Sequence, residues 1–353
     1  MAKPDIDLIY ELLEMNEPER VLALLKNQRQ KDALTWFLQA EAERQLGHFE
    51  TALLTYAKGL KLADVAEERM DILLAMAACY RTLGHAAAAY ELSDETLQMA
   101  RELEMEDYEV RAMQEMGMAL RAWGRLEEAL ELLDTVLAAY TQDKDYAGMS
   151  FIHWAKGGIF RLQGQFEAGI AQFKKSIALA KKTHDKISEA YGYCGLAGIS
   201  RICGKVEECV KNYKLAEKIF KHTQDVFGNA YTHCGMANGL RQQGKYAEAL
   251  RHYNVADKLY SSIHDTVDLG FVKWGRADVL RRQNKMEKAL ADLQEARVLF
   301  DNSDELRGQI LTKLSLAQVW YALGRTEEAE QLYAAGVKQA QAEGLHTYLE
   351  SYT

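Results

Sequence analysis

The sequence predicts an all-α protein built from helix-turn-helix repeats, and three observations point to that fold class. The 353 residues include only two prolines, Pro4 and Pro18. Proline inside a helix removes a hydrogen bond and clashes with the preceding turn, so its absence beyond residue 18 permits long helices. Residues with high helix propensity are abundant, and glycines recur at a fixed interval. The chain is therefore expected to fold as repeated helical hairpins.

The repeat is marked by a turn residue. Glycine stands at Gly47, Gly84, Gly124, Gly164, Gly204, Gly244 and Gly324. From Gly84 onward the step is 40 residues, and Asn284 fills the one missing place. Asparagine is the usual substitute for glycine where the backbone turns left-handed after a helix. Each of these positions is predicted to end a first helix, called helix A, and to lead into a second, called helix B.

Three columns of residues repeat around this turn. Small residues occupy the place seven before it: Ala40, Ala77, Gly117, Gly157, Ala197, Ala237, Ala277 and Ala317. Small residues also stand five after it: Ala52, Ala89, Ala129, Gly169, Cys209, Ala249, Ala289 and Ala329. Nine after it the residues are bulky, with Ser93 as the exception: Tyr56, Leu133, Phe173, Tyr213, Tyr253, Leu293 and Tyr333. Small residues allow close helix contact, and the bulky ones are expected to fill the space between neighbouring units.

The columns set the predicted domain organisation. Residues 1–353 form one solenoid domain, with a helical pair at 4–30, eight hairpins at 31–344 and a tail at 345–353. Aspartates just before helix A are predicted to cap it: Asp145, Asp185, Asp225 and Asp265.

A small residue, the turn glycine, a second small residue and an aromatic residue follow one another in this order, and the pattern resembles the tetratricopeptide repeat. The stretches GLAGISRICGKVEECVKNYKLAEKIF and GMANGLRQQGKYAEALRHYNVADKLY carry it well. The usual unit of that family has 34 residues. The 40-residue spacing is similar to that of kinesin light chains, the spindle adaptor with leucine–glycine–asparagine repeats and many bacterial regulators, although the proline near the end of helix B is absent. The resemblance implies a right-handed superhelix in which helices A line a concave channel that binds peptide segments.

One face of helix A is the candidate channel lining. It consists of the places thirteen, ten, six and three before the turn, whose spacing follows a single helical face. The last place forms an arginine column: Arg44, Arg81, Arg121, Arg161, Arg201, Arg241 and Arg281, with Tyr321 ending the series. Two interpretations stay open, since the arginines are suited either to bind carboxylates of a ligand or to cap helix carbonyls.

Aromatic residues supply the other end of the same face. The candidates are Phe151, Trp154, Tyr191, Tyr231, Phe271 and Trp274. Packing between adjacent helices is one explanation, and an aromatic-lined binding channel is the other. The place six before the turn holds Gly158, Gly198, Asn238 and Asp278, where Asn238 is suited to a ligand's backbone amide. Residues 146–285 are the predicted site.

The sequence lacks the common phosphate-binding and hydrolase motifs and shows no metal-ligand cluster, so no enzyme activity, cofactor or metal is predicted. A net charge of −9 argues against nucleic acid as main partner. No apolar run approaches the length of about 20 residues that a membrane-spanning helix needs. The start is too acidic for a secretory signal. Five cysteines without a C-x-x-C pair favour a reducing, cytoplasmic setting.

The leading functional hypothesis is an adaptor or scaffold that holds an extended, acidic segment of a partner protein. A regulatory receptor for a small molecule or signalling peptide is one alternative, and a self-assembling structural scaffold is the other.

Overall fold

The computed structural model describes residues 5–15, 17–26, 28, 31–303 and 305–343, and every regular element among them is a helix. The chain divides into two compact units, Met1–Ala139 and Tyr140–Thr353. The first contains α1 (Ile6–Glu14), α2 (Pro18–Leu25), α3 (Ala33–Gln45), α4 (Phe49–Leu60), α5 (Ala66–Thr82), α6 (Ala86–Glu102) and α7 (Glu106–Trp123). Helix α8 (Leu126–Asp143) contains the boundary between the units.

The described residues of the second unit form five hairpins. Its helices are α9 (Tyr146–Leu162), α10 (Phe166–Lys182), α11 (Lys186–Ile202), α12 (Val206–Phe220), α13 (Val226–Gln242), α14 (Tyr246–Ser262), α15 (Thr266–Arg282), α16 (Met286–Asp301), α17 (Leu306–Ala322) and α18 (Thr326–Ala342). Helices A are α9, α11, α13, α15 and α17. The predicted all-helical hairpin fold is confirmed. The assignment of the whole chain to one domain stays a prediction, and the tail at 345–353 lies outside the described residues.

The turns follow the predicted backbone geometry. All seven repeat glycines have positive φ, between 71° and 85°, and Asn284 has a φ of 58°. The turns from helix B back to helix A hold further left-handed residues that are not glycine: Glu104, Lys144, His184 and His264. The sequence pattern did not reveal these, because no residue type marks the position.

The predicted aspartate caps are present on four successive helices A of the second unit. The side chains of Asp145, Asp185, Asp225 and Asp265 accept hydrogen bonds from the backbone N–H three residues on. Each bond satisfies one of the N–H groups that a helix start leaves unpaired. These caps set where helix A begins and therefore which of its residues share a face.

The packing columns are buried as expected, with one difference. Every alanine of the two small-residue columns is buried. The bulky column is at most 3% exposed at Tyr56, Leu133, Phe173, Tyr213, Tyr253 and Leu293. Tyr333 is 49% exposed. It belongs to the last described hairpin, and among the described residues no further helix A follows to cover its ring.

Glycines in the middle of helix A receive the bulky rings of the preceding hairpin. A Cβ built at Gly195, Gly235 or Gly275 would overlap Phe173, Tyr213 or Tyr253, respectively. Neighbouring hairpins therefore approach until a ring rests on bare backbone. This contact fixes the spacing between successive helices A and so the spacing of the residues on their candidate binding face.

Candidate peptide-binding face of the second unit

Successive helices A of the second unit are neighbours: α9 lies beside α11, α11 beside α13, and α13 beside α15. Residues at equivalent places on these helices consequently form rows that cross from one hairpin to the next. The candidate site lies on this surface. Of the predicted residues, Arg81 and Arg121 belong to the first unit.

An aromatic row crosses three hairpins. The ring centroid of Phe151 is 5.8 Å from that of Trp154, which is 6.0 Å from that of Tyr191. All three rings are half-buried. Such centroid separations are those of interacting aromatic pairs. Four of the predicted aromatics, Phe151, Trp154, Tyr191 and Tyr231, belong to this row.

Phe227 completes the row, although it was not among the predicted residues. Its ring lies 6.4 Å from Tyr191 and stacks on Tyr231 at 6.1 Å with an interplanar angle of 13°. It stands four residues before Tyr231, one helical turn outside the stripe read from the sequence. Extending that stripe by one turn toward the helix start would have found it.

Tyr191 is held in place by the cap of the next hairpin. Its hydroxyl donates a hydrogen bond of 2.9 Å to Oδ2 of Asp225, whose Oδ1 accepts from the backbone N–H of Gly228. Burial and the carboxylate of Asp225 raise the pKa of Tyr191 well above its usual value. The ring is therefore a neutral, oriented surface at physiological pH.

Phe271 and Trp274 have intramolecular partners instead. The Phe271 ring packs on Phe300 at 4.9 Å, and Arg307 lies over it. Trp274 is 7% exposed and donates from Nε1 to Oγ of Ser315 at 2.8 Å. These two candidates join the packing between α15 and its neighbours rather than the aromatic row.

Members of the arginine column in the first unit contact acidic side chains. Arg44 forms a two-pronged contact with Glu41, and Nη2 of Arg81 lies 3.4 Å from Oε2 of Glu115. Arg121 is half-buried. Because Glu115 belongs to the next helix A after Arg81, the column links neighbouring hairpins here.

At the far end of the column, two arginines share Asp278. Nη1 of Arg241 lies 2.8 Å from Oδ2, and Nη2 of Arg281 lies 2.7 Å from Oδ1. Arg282 contacts the same carboxylate at 2.8 Å. Although burial alone would raise it, the surrounding guanidinium groups lower the pKa of Asp278 below its usual value. The charges of this part of the column are compensated from within the protein.

Arg161 and Arg201 differ from these residues, because neither forms an ion pair with any described residue. Nη1 of Arg161 would lie 3.0 Å from a Cβ built at Gly198, so its guanidinium rests against the bare backbone of α11. Arg201 is only 6% exposed, and its Nε and Nη1 are enclosed without a hydrogen-bond partner. A buried guanidinium without an anion is costly, since it cannot lose its charge.

Asn238 already has a partner within the chain. Its Oδ1 accepts a 2.5 Å hydrogen bond from the hydroxyl of Tyr253, and its amide nitrogen lies 3.9 Å from Sγ of Cys234. Burial raises the pKa of Cys234 to about 12, which nearby Arg201 and Arg241 oppose. The Asn238 side chain therefore lies beside Cys234.

Two other kinds of feature are missing from the described part of the chain. No group of three or more histidine, cysteine, aspartate or glutamate side chains is arranged there to hold a metal ion. No described helix combines the length and apolar character needed to cross a membrane.

Comparisons with known proteins agree with this fold. A family model described as tetratricopeptide repeat matches residues 68–142. No curated protein matches the sequence. A Rap protein in complex with Competence and Sporulation Factor superposes with a TM-score of 0.73 at 12% identity, over 96% of this chain and 97% of that one. BtubC (BKLC) from P. vanneervenii matches with a TM-score of 0.48 at 16% identity, over 64% and 91%.

The tetratricopeptide-repeat match is confined to residues 68–142, and the fold of helical hairpins is the one that the residue columns predicted. The assignment of the chain to a particular 40-residue subgroup stays a prediction.

Proposed function

We propose that this protein is a non-enzymatic binding module that holds an extended, acidic segment of a partner protein against helices A of its second unit. One observation carries the proposal. A row of half-buried aromatic rings crosses α9, α11 and α13, and on two of the same helices stand arginines without a carboxylate partner. Aromatic residues and arginine are the types most enriched where binding energy concentrates.

The predicted site residues take unequal parts in this proposal. Phe151, Trp154, Tyr191 and Tyr231, joined by Phe227, supply apolar contact area. Arg161 and Arg201 supply positive charge, and Asn238 stands on the next helix A, α13. Arg241 and Arg281 support this surface through Asp278, Trp274 through Ser315 and Phe271 through Phe300.

The same surface also supports the regulatory alternative. The structural neighbour with a TM-score of 0.73 is a Rap protein complexed with Competence and Sporulation Factor. A receptor of that kind would use the aromatic row and the two arginines to take up a signalling molecule. The two functions differ in the ligand, and they share the binding face.

The test is to locate a bound partner by hydrogen–deuterium exchange. A partner captured from native lysate is identified by mass spectrometry, and its segments are added as synthetic peptides to the intact protein. We expect slower amide exchange in α9, α11 and α13. The double variant Trp154→Ala/Tyr231→Ala should bind at least tenfold more weakly, because loss of such anchors costs about 2 kcal/mol or more.

The control is Arg297→Gln, which removes an exposed charge paired with Asp301 on α16. It should bind as the unaltered protein does. Protection confined to helices B, or equal binding by the double variant, would refute the proposed binding face.

A further inference from the structure

The arginine column of the second unit is only half compensated by the protein's own charges. Of its four members, Arg241 and Arg281 contact Asp278, whereas Arg161 and Arg201 have no carboxylate. Equivalent residues explain the difference. Asp278 lies 37 residues after Arg241, and the same step leads from Arg161 to Gly198 and from Arg201 to Asn238. Glycine and asparagine stand where the paired hairpin has its carboxylate.

The environment of Arg201 favours the binding of an anion. The residue is 6% exposed, yet Nε and Nη1 donate to nothing. Asn238 does not relieve this, because its side chain bonds to Tyr253 and Cys234 and makes no hydrogen bond to Arg201. The third nitrogen, Nη2, is not enclosed in this way and makes no hydrogen bond to described residues. The guanidinium is thus open to an incoming acceptor from one side only.

We propose that Arg201, assisted by Arg161, binds a single carboxylate side chain of the bound segment. An apolar side chain of the same segment then lies on the aromatic row. This rests on the proposed function and adds to it the chemical pattern of the ligand. A carboxylate is the strongest acceptor for a guanidinium, and one bound at the open Nη2 would supply both a hydrogen bond and the missing counter-charge.

Helix geometry sets the spacing of this pattern. Seven residues separate Trp154 from Arg161 along α9, and ten separate Tyr191 from Arg201 along α11. At a rise of 1.5 Å per residue, the aromatic row and the arginine pair are about 10–15 Å apart. An extended chain spans that distance in roughly three to five residues. The ligand therefore carries a large apolar residue and an acidic residue separated by about two to four others.

The experiment begins with a random dodecapeptide library displayed on phage and selected on the intact protein. An enriched peptide is synthesised in two forms, with its acidic residue as glutamate or as glutamine. Fluorescence anisotropy then gives the affinity of each form. We expect the glutamate form to bind the unaltered protein about tenfold to a hundredfold more tightly, as expected for a charge-assisted hydrogen bond that replaces a neutral one.

Asn238→Asp is the decisive variant, because it places a carboxylate where Asp278 stands in the next hairpin. The change keeps the shape of the side chain and an oxygen for the Tyr253 hydroxyl. The ratio of affinities for the glutamate and glutamine forms should fall to about one, with thermal stability equal to or above that of the unaltered protein. Arg297→Gln serves as the charge control and should keep the full ratio.

The outcomes separate the two proposals. If both peptide forms bind the unaltered protein equally while Trp154→Ala/Tyr231→Ala abolishes binding, carboxylate binding by Arg201 is refuted and the proposed binding face is left intact. If a folded Asn238→Asp variant keeps the ratio of affinities for the glutamate and glutamine peptides, carboxylate binding by Arg201 is refuted as well. Peptides that bind the aromatic double variant undiminished, or a library without any peptide that depends on this face, would count against the proposed function itself.

Discussion

Arg201, a residue of the proposed binding face, is expected to reduce the stability of the folded chain. Its enclosed Nε and Nη1 have no hydrogen-bond partner in the folded chain, whereas water would satisfy both in the unfolded chain. Unsatisfied buried polar groups cost about 1–3 kcal/mol, and more when charged. We therefore expect Arg201→Met to raise the free energy of unfolding by about 1–3 kcal/mol, measured by urea denaturation.

Arg241 is the matched comparison, because it is equally buried and also has two enclosed nitrogens without a partner, but its Nη1 contacts Asp278 at 2.8 Å. Arg241→Met should lower the free energy of unfolding by about 1–2 kcal/mol, since it breaks a buried pair while Arg281 and Arg282 remain on the carboxylate. Changes of the same sign in the two variants would contradict the assignment of Arg201 as the uncompensated member.

The His233–His252 pair makes the hairpin α13–α14 sensitive to pH. The two Nδ1 atoms are 2.8 Å apart, so one ring must donate and the other accept. Burial lowers the pKa of both rings; the other histidine lowers that of His233 further, while Arg251 and the acids Glu217 and Glu248 exert smaller effects. The unfolded chain therefore takes up protons first as pH falls, and stability declines below about pH 6.5.

The test is His252→Gln, which copies the His153–Gln172 pair at the equivalent place on α9 and α10. The urea midpoint of the unaltered protein should fall between pH 7.5 and 5.5, and the variant should fall by less. An identical pH dependence in both proteins would show that this pair does not titrate on unfolding.

At the scale of the helices, a ring seated on a glycine determines how closely hairpins approach. A Cβ at Gly235 would overlap the Tyr213 ring, which is itself 3% exposed and has no room to move. We expect Gly235→Ala to lower the free energy of unfolding by about 1–3 kcal/mol or more, measured in urea, despite the better helix propensity of alanine.

Gly239, one turn further along α13, is the natural control. A Cβ there would lie 3.1 Å from Sγ of Cys209, a contact that small shifts relieve. Gly239→Ala should change the free energy of unfolding by less than about 1 kcal/mol, because the gain in helix propensity offsets the tighter contact. If both variants lose the same free energy of unfolding, the ring contact is not the cause, and any substitution of a glycine in α13 is destabilising.

Helix caps in this protein also connect hairpins. Asp225 accepts from Gly228 N–H and from the Tyr191 hydroxyl, whereas exposed Asp145 accepts from Gly148 N–H. Asp145→Ala should cost about 1 kcal/mol in urea denaturation, the usual value of a cap. Asp225→Ala should lower the free energy of unfolding by about 1–2 kcal/mol more, because it also leaves the hydroxyl of half-buried Tyr191 without its acceptor. Similar costs would mean that the Tyr191 bond contributes nothing.

For the whole molecule, repeat proteins owe their stability to contacts between adjacent units. A continuous core surrounds Cys194, Tyr213 and Tyr253 and runs from α11 to α15. Helix α18 buries few side chains among its described residues. We expect amides of α11–α14 to exchange with deuterium more slowly than those of α17 and α18. Uniform protection across the second unit would contradict this gradient.

Much of the architecture was predictable, because each repeat uses local rules. A left-handed residue ends helix A, an aspartate begins the next one, and small and bulky residues alternate in fixed columns. Eight copies of one pattern make chance coincidence negligible. The predicted site was less complete. The stripe placed Phe151, Trp154, Tyr191 and Tyr231 on one surface, but it missed Phe227 and included Trp274, which hydrogen-bonds within the chain.

The sequence by itself determined the hairpins, their forty-residue period and the alignment of seven arginines, because these depend on periodicity and turn chemistry within one repeat. Only the tertiary structure decided which arginines keep their charge uncompensated. Arg201 and Arg241 occupy identical places in their repeats, and the difference arises from the next helix A, where Arg241 contacts Asp278 and the equivalent place after Arg201 holds Asn238. Charge compensation is a contact between elements distant in the chain, and repeat position alone does not encode it.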